Sequence, residues 1–188
     1  MRTSISIQGT TPLLMGAFAE ETALNIEKGV QAKSTRGKLP RDIAAQREYR
    51  DAGSGLLYIP GTNILACLRD AGSFVKVGKK QVTTVKSSIL TGAVRIVEGA
   101  CLLDQQEYEV DSRRIVNPKT GDARICHRPR FDKWSLSFTL LVSERFIPAV
   151  ILRQIADIAG ELIGLGDFRP ARKGPFGCFV ITSWQEEE

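Results

Sequence analysis

One stretch near the C-terminus constrains the fold of this chain more than any other, and its sequence is GLGDFRPARKGPFG, residues 164–177. This glycine segment lies between a long apolar helical pattern and a short β-rich run. Glycine lets the backbone adopt a positive φ and approach a ligand or another chain segment closely. Three cations, Arg169, Arg172 and Lys173, accompany the glycines, and N–H groups beside cationic side chains suit phosphate. The alternative is a plain glycine-capped connection, but such connections are usually short, so the sequence favours a segment that faces nucleic acid.

Charge is distributed unevenly along the chain. The formal net charge of +5 is moderately basic and by itself is weak evidence for a polyanionic partner. Six cations against one acid occupy residues 69–95, and seven against two occupy residues 113–133. Acids gather instead at residues 98–111 and 186–188. This pattern predicts a basic side and an acidic side of the molecule, with a mixed, solvated surface as the alternative.

The residues that usually bind metals are few and scattered. The cysteines Cys67, Cys101, Cys126 and Cys178 form no CxxC pair, and there is a single histidine. We therefore expect buried, reduced thiols and neither a metal nor a cofactor. No apolar run is long enough to cross a membrane, and residues 1–3 lead into a strand pattern rather than a signal peptide. The sequence predicts a cytoplasmic protein without a membrane partner.

Periodicity predicts the main elements. Residues 4–7 and 135–142 alternate polar and apolar side chains, which is typical of half-buried strands. Pro60-Gly61 forms a turn before a helical pattern that ends at Gly72. Further strands are predicted at 94–97, 108–110 and 179–181. A second helix is predicted from about Phe146 to Ile163, and the residues expected to face the core are Ile151, Ile155, Ile158 and Leu162.

The order of these elements predicts an α+β fold. It matches a ferredoxin-like (RRM-like) βαββαβ sheet with two helices on one face. The other face would be open to a ligand, as in RNA-recognition folds. We expect residues 1–188 to form a single domain, with an irregular insertion at about residues 17–55 and a basic hairpin at about residues 113–126.

Two segments resemble a known family. The sequence YIPGTNILACLR, residues 58–69, resembles the "IPGSSLKGALR" turn and helix in backbone subunits of CRISPR effector complexes, which belong to the RAMP superfamily (repeat-associated mysterious proteins). The glycine segment resembles the C-terminal glycine-rich loop of that superfamily. Some phage and prophage proteins carry a similar Phe-Arg-Pro glycine loop, so the resemblance also extends to mobile elements.

The resemblance implies a RAMP-like domain that binds guide RNA through its backbone, independently of sequence. It further implies self-association of copies along the strand, or a multi-subunit ribonucleoprotein complex. Arg69 falls on the basic helix position of the motif, while Arg169, Arg172 and Lys173 fall in the loop. The Leu-Lys-Gly of the motif is Leu65-Ala66-Cys67 in this chain, so the motif's lysine is missing.

The sequence and the resemblance together predict a non-catalytic protein that binds single-stranded nucleic acid. RNA is preferred over single-stranded DNA because of the resemblance. Basic, aromatic and glycine positions are the predicted contacts, with the arginines of the hairpin on a second surface: Arg69, Lys79, Lys80, Arg113, Arg114, Arg124, Gly166, Phe168, Arg169, Arg172, Lys173, Gly174 and Gly177.

Two other functions stay open. A metal-independent endoribonuclease of the guide-RNA-processing type could use His127 as acid or base, with Arg128 or Arg130 stabilising the phosphate. Asp42 is the candidate for the thumb-loop aspartate with which some type III relatives cut target RNA. Alternatively, the chain is a phage assembly module whose basic face meets an acidic partner such as its own residues 98–111.

Overall fold

The computed structural model describes residues 1–18, 37–116, 121 and 123–187. Short 3₁₀ turns cover Gly72–Phe74 and Pro170–Arg172, and a π-helical turn covers Ala159–Ile163. The strands and helices in chain order are β1 (Arg2–Gly9), β2 (Leu13–Leu14), α1 (Pro40–Ala45), β3 (Tyr58–Pro60), α2 (Gly61–Ala71), β4 (Lys76–Val77), β5 (Lys80–Gln81), α3 (Leu90–Ala93), β6 (Val94–Ile96), β7 (Ala100–Leu102), β8 (Glu109–Val116), β9 (Ala123–Phe131), β10 (Ser135–Val142), α4 (Ala149–Ile158) and β11 (Phe179–Glu187).

A four-stranded antiparallel sheet forms the centre of the fold, in the order β11-β1-β10-β6. Numbered by their sequence within this sheet, the strands lie in the order 4-1-3-2. α2 lies between the first and second of these strands, and α4 lies between the third and fourth. This is the βαββαβ ferredoxin-like arrangement, so the predicted α+β fold is confirmed.

The two long helices pack on one face of this sheet. Ile5 and Ile7 of β1 join one apolar core with Leu68 of α2 and Ile155 of α4. Both helices begin directly after a proline N-cap, which has no N–H to leave unsatisfied. At its far end α4 continues into the π turn, where Leu162 is 51% exposed. The predicted core position of Leu162 is therefore wrong, because the extra residue of a π turn changes the helical phase.

The opposite face of the sheet is polar. Ser4 and Ser6 are half-buried and Ser137 is exposed, and the hydroxyls of Ser6 and Ser137 lie 2.8 Å apart. Strand register places Thr139 opposite Ser4 on the same face. Small polar side chains therefore line the middle of this face, rather than the aromatic residues on which RNA-recognition folds stack bases.

The hairpin β8–β9 forms a second, three-stranded sheet with β2. Its strands extend beyond the predicted limits of 113–126, and residues 117–120 and 122 at its tip lie outside the described residues. α1 packs on both strands, and the Arg41 guanidinium lies 4.4 Å from the centre of the Tyr108 ring. Of the predicted insertion at 17–55, residues 19–36 lie outside the described residues.

In the part of the chain that the structure describes, no helix is long and apolar enough to span a bilayer. The same residues contain no group of three or more His, Cys, Asp or Glu side chains placed to hold a metal ion.

Substituting Gly160 tests the packing of the π turn on β11. A Cβ at Gly160 would lie 2.1 Å from the carbonyl oxygen of Phe179, so we expect Gly160→Ala to lower the free energy of unfolding by about 1–3 kcal/mol. Gly92→Ala is the matched control, because a Cβ there meets no described atom within 4 Å. Urea unfolding followed by tryptophan fluorescence measures both variants. Equal stability of the two variants would contradict this packing.

Candidate nucleic-acid interface

The glycine segment is held to β2 and to the residue just before it by backbone hydrogen bonds. The N–H of Gly177 donates to Pro12 O (2.8 Å), and the N–H of Asp167 donates to Leu14 O (2.8 Å). Within the segment, the N–H of Leu165 donates to Gly177 O (2.9 Å). These bonds close the segment into an ordered loop whose two ends lie side by side.

Two glycines are required by this close approach. Gly166 and Gly177 both have a φ of +75°. A Cβ at Gly166 would lie 2.4 Å from Leu14 O, and one at Gly177 would lie 1.9 Å from Leu165 O. Gly174 donates its N–H to Arg169 O at 3.0 Å. Protein backbone therefore accounts for these glycines, and their predicted contact with nucleic acid stays a prediction.

Phe168 is held in a left-handed backbone conformation with a φ of +50°. A bulky side chain rarely adopts this conformation, and it costs on the order of 1–3 kcal/mol. Asp167 Oδ1 accepts the N–H of Phe168 (2.9 Å) and helps to fix it. The Phe168 ring is 37% exposed and lies 6.1 Å from the buried ring of Phe176. This backbone conformation therefore places the Phe168 ring at the surface.

Arg113 of the hairpin reaches this pair of rings. Its guanidinium carbon lies 4.6 Å from the centre of the Phe176 ring. The Nε of Arg113 donates to the buried carboxylate of Asp111 at 2.7 Å, and this bond raises the pKa of Arg113. The sequence predicts Arg113 on a second surface, but the structure brings it to the glycine segment. Phe176 lies far along the chain, so no local pattern indicates the contact.

A second arginine fixes the hairpin to the segment. Arg128 lies opposite Asp111 in the register of β8 and β9, and its Nε donates to Asp167 Oδ2. The Arg128 side chain is 9% exposed and that of Asp167 is 36% exposed. A mostly buried guanidinium needs such a partner, because leaving it unpaired is costly. This ion pair therefore positions the segment relative to the hairpin.

The remaining cations of the segment have no such partner among the residues that the structure describes. Arg169 donates through Nη1 to Gly166 O (3.0 Å), and Arg172 and Lys173 are exposed. Among the residues described, none of these three cations lies within ion-pair distance of a carboxylate. Their charges are available to an external anion.

Three other predicted contacts lie elsewhere. Arg69 is exposed on α2 and pairs with its neighbour Asp70, with 2.7 Å between Nη2 and Oδ1. Lys79 and Lys80 are exposed at the turn between β4 and β5, which follows the C-terminal end of α2. None of these three cations lines the cleft beside the glycine segment.

Two arginines of the hairpin are not brought to the segment. Arg114 is exposed and follows Arg113 directly on β8, so the two side chains lie on opposite faces of the hairpin. Arg124 pairs in register with Ile115, and its side chain lies outside the described residues. Binding of RNA by either residue stays a prediction.

The residues considered for catalysis are not assembled with each other. His127 Nδ1 lies 2.7 Å from Ser112 Oγ. Arg128 lies on the opposite face of β9 and pairs with Asp167, while Arg130 pairs with Asp132 at 2.7 Å. Asp42 is exposed on α1. The two arginines considered with His127 thus both pair with carboxylates, and the predicted arrangement of histidine and free arginine at a phosphate is not formed by these residues.

A cleft of about 230 Å³ lies between α2 and the glycine segment. Among the residues lining it are Tyr49, Ile59, Asn63, Gly164, Leu165 and Arg169. Of these residues, the sequence predicts a binding role for Arg169. It does not predict that Tyr49 and Asn63 line a cleft. The only sequence signal is the spacing of Asn63, Ala66 and Cys67, which places the three on one helical face.

Cys67 connects that face of α2 to the glycine segment. Its Sγ lies 3.3 Å from Gly164 O and 3.5 Å from Ala159 O. Burial raises the pKa of the thiol to about 12, so the thiol keeps its proton at neutral pH and donates it to these carbonyls. The position that is glycine in the resembled motif is thus a buried cysteine in this chain, and it links α2 to the glycine segment.

Comparison with known proteins identifies a fold relative. No family model matches the sequence, and no curated protein matches it. A chain of the "Cryo-EM structure of the Type III-B Cmr-beta bound to cognate target RNA" is similar, with a TM-score of 0.52 and 14% sequence identity. The match covers 98% of this chain and 59% of that chain, so this chain spans less than two thirds of its length. The likeness shows the fold and is consistent with the resemblance found in the sequence.

Breaking the ion pair of Asp167 should loosen the segment. We expect Asp167→Asn to lower the free energy of unfolding by about 1–3 kcal/mol, because it leaves the buried Arg128 without its charged partner. Asparagine keeps an oxygen for the N–H of Phe168. Asp157→Asn is the matched control, since its pair with Arg153 is exposed and should contribute less than about 0.5 kcal/mol. Urea titrations compare the two, and equal losses would contradict a positioning role for Asp167.

Proposed function

We propose that this protein binds single-stranded RNA without cleaving it, by holding the phosphate backbone along the glycine segment. It does so as a subunit of a ribonucleoprotein complex. The observation that carries the proposal is the set of three cations, Arg169, Arg172 and Lys173, without a described carboxylate partner beside the exposed ring of Phe168. Cations that contact phosphates, next to aromatic rings that stack bases, are the combination used by single-strand binders.

The choice of RNA is supported by fold and by resemblance. The similar chain belongs to a complex described as bound to cognate target RNA. The RAMP-like motifs of this sequence also favour RNA, because the resemblance implies binding of guide RNA. The absence of cleavage is supported by the local contacts of the residues considered for it, because His127 lies beside Ser112 while Arg128 and Arg130 both pair with carboxylates.

The backbone contact can be tested through its salt dependence. We expect wild-type protein to bind labelled single-stranded RNA with affinity that falls steeply with salt, since each neutralised phosphate releases counterions. Arg172→Ala/Lys173→Gly should reduce the slope of log K against log salt by about 1.4, which corresponds to two phosphate contacts on a single strand. Glycine is chosen at Lys173 because its φ is +61°.

Lys76→Ala/Lys86→Ala is the matched control for this test, because it removes the same charge at two exposed positions outside the segment. The control should keep the wild-type slope in filter binding. Equal effects of the two double variants would show a dependence on net charge alone and contradict the proposed site. Absence of salt-dependent binding by the wild type would contradict the function itself.

The aromatic contribution requires a separate variant. Phe168→Ala should weaken RNA binding by about 1–3 kcal/mol, the cost of losing one stacked base. Its salt slope should stay unchanged, because stacking neutralises no phosphate. Phe74→Ala serves as control, since Phe74 is 60% exposed in the 3₁₀ turn after α2. Fluorescence anisotropy reports both affinities, and equal affinity of Phe168→Ala and wild type would exclude stacking on this ring.

A further inference from the structure

We infer that the cleft between α2 and the glycine segment holds one nucleobase of the bound strand and selects among bases through Asn63. The inference rests on the proposed RNA binding and goes beyond it, because contact with the phosphate backbone alone carries no sequence preference.

The size of the cleft limits what it can hold. Its volume of about 230 Å³ is below the roughly 300–1,000 Å³ of sites for drug-sized ligands. The small residues Ala66 and Gly164 line it and leave this space free. A single planar ring system is a ligand of suitable size, and single-stranded RNA can present one by turning a base away from its neighbours.

The walls of the cleft suit the faces of a base. Ile59 and Leu165 are 1% exposed and supply fixed apolar surface. Tyr49 adds an aromatic ring, whose centre lies 5.9 Å from that of Tyr58. The chain at Tyr49 is held by its N–H, which donates to Met15 Sδ at 3.0 Å. Apolar and aromatic surfaces of this kind hold the π-faces of any base.

Asn63 can recognise the edge of the base. It is half-buried in the first turn of α2, and its amide forms no hydrogen bond with any residue that the structure describes. An amide carries both donors and an acceptor, which can match the hydrogen-bonding edge of one base better than those of the others. Cys67 holds this face of α2 against Gly164 O, so the backbone that carries Asn63 has a fixed position relative to the glycine segment.

Arg169 connects the cleft to the proposed backbone site. It lines the cleft, and its Nη1 is held by Gly166 O. The guanidinium has five N–H donors, so donors remain for a phosphate at the rim. One nucleotide could then place its base in the cleft and its phosphate at Arg169.

The experiment compares homopolymers of about 12 nucleotides, within the range of single-domain binding sites. Wild-type protein is titrated with labelled oligo-A, oligo-U and oligo-C at one salt concentration by fluorescence anisotropy. We expect one of them to bind about 5–50-fold more tightly than the others, the discrimination expected of one side chain reading one base. Asn63→Ala should reduce this ratio to about 1 while leaving the salt slope unchanged.

Two further variants make the result specific to the cleft. Ala66→Leu should remove the preference by filling the space while Asn63 itself is retained. Thr62→Ala should keep it, because Thr62 is exposed on the same helical turn and does not line the cleft. Equal binding of the three homopolymers by wild type, or a preserved preference in both Asn63→Ala and Ala66→Leu, would overturn the inference. If either result is accompanied by a steep salt dependence of RNA binding, the proposed backbone binding still stands. If wild type shows no salt-dependent binding at all, both the inference and the proposed function are contradicted.

Discussion

The fold of the candidate site depends on the backbone contact of the glycine segment with β2 and the residue before it. Hydrogen bonds to Pro12 O and Leu14 O hold the segment there. Gly166 has no Cβ to meet Leu14 O, and Gly177 has none to meet Leu165 O within the segment. This contact sets the direction of the residues in between. Leu165 is turned inward as a wall of the cleft, and Phe168 is turned outward to the surface.

The cations around this contact divide into two groups by their partners. Arg128 pairs with Asp167 and holds the hairpin against the segment, while Arg113 pairs with Asp111 of its own strand and contacts the Phe176 ring. The exposed cations of the 3₁₀ turn pair with no carboxylate in the described part of the chain. Charge pairs that are largely withdrawn from water contribute to positioning, while exposed cations can exchange counterions for phosphates. The same residue type thus has a structural role in one place and a proposed binding role in another.

Sequence patterns predicted the features that depend on local periodicity and on element order. The alternation in β1 and β10 and the proline before α2 located the elements of the ferredoxin-like sheet. The strands β2 and β7 contain two and three residues, which is too short for a period, and they were not predicted. The contact of Arg113 with Phe176 and the pair of Arg128 with Asp167 join residues far apart in the chain. Such contacts arise from tertiary packing and leave no signal in a single sequence.

The π turn that ends α4 has a consequence for how this protein can change over evolution. Each helical residue rotates the chain by about 100°, so the number of residues in that turn determines the angle at which Gly164 leaves the helix. Deleting one of them would preserve the buried contacts of Ile155, yet it would swing the glycine segment around the helix axis and away from Cys67. The spacing between the core and the glycine segment is therefore fixed to the residue, and an insertion or deletion there would displace the segment from its contacts with β2 and the hairpin.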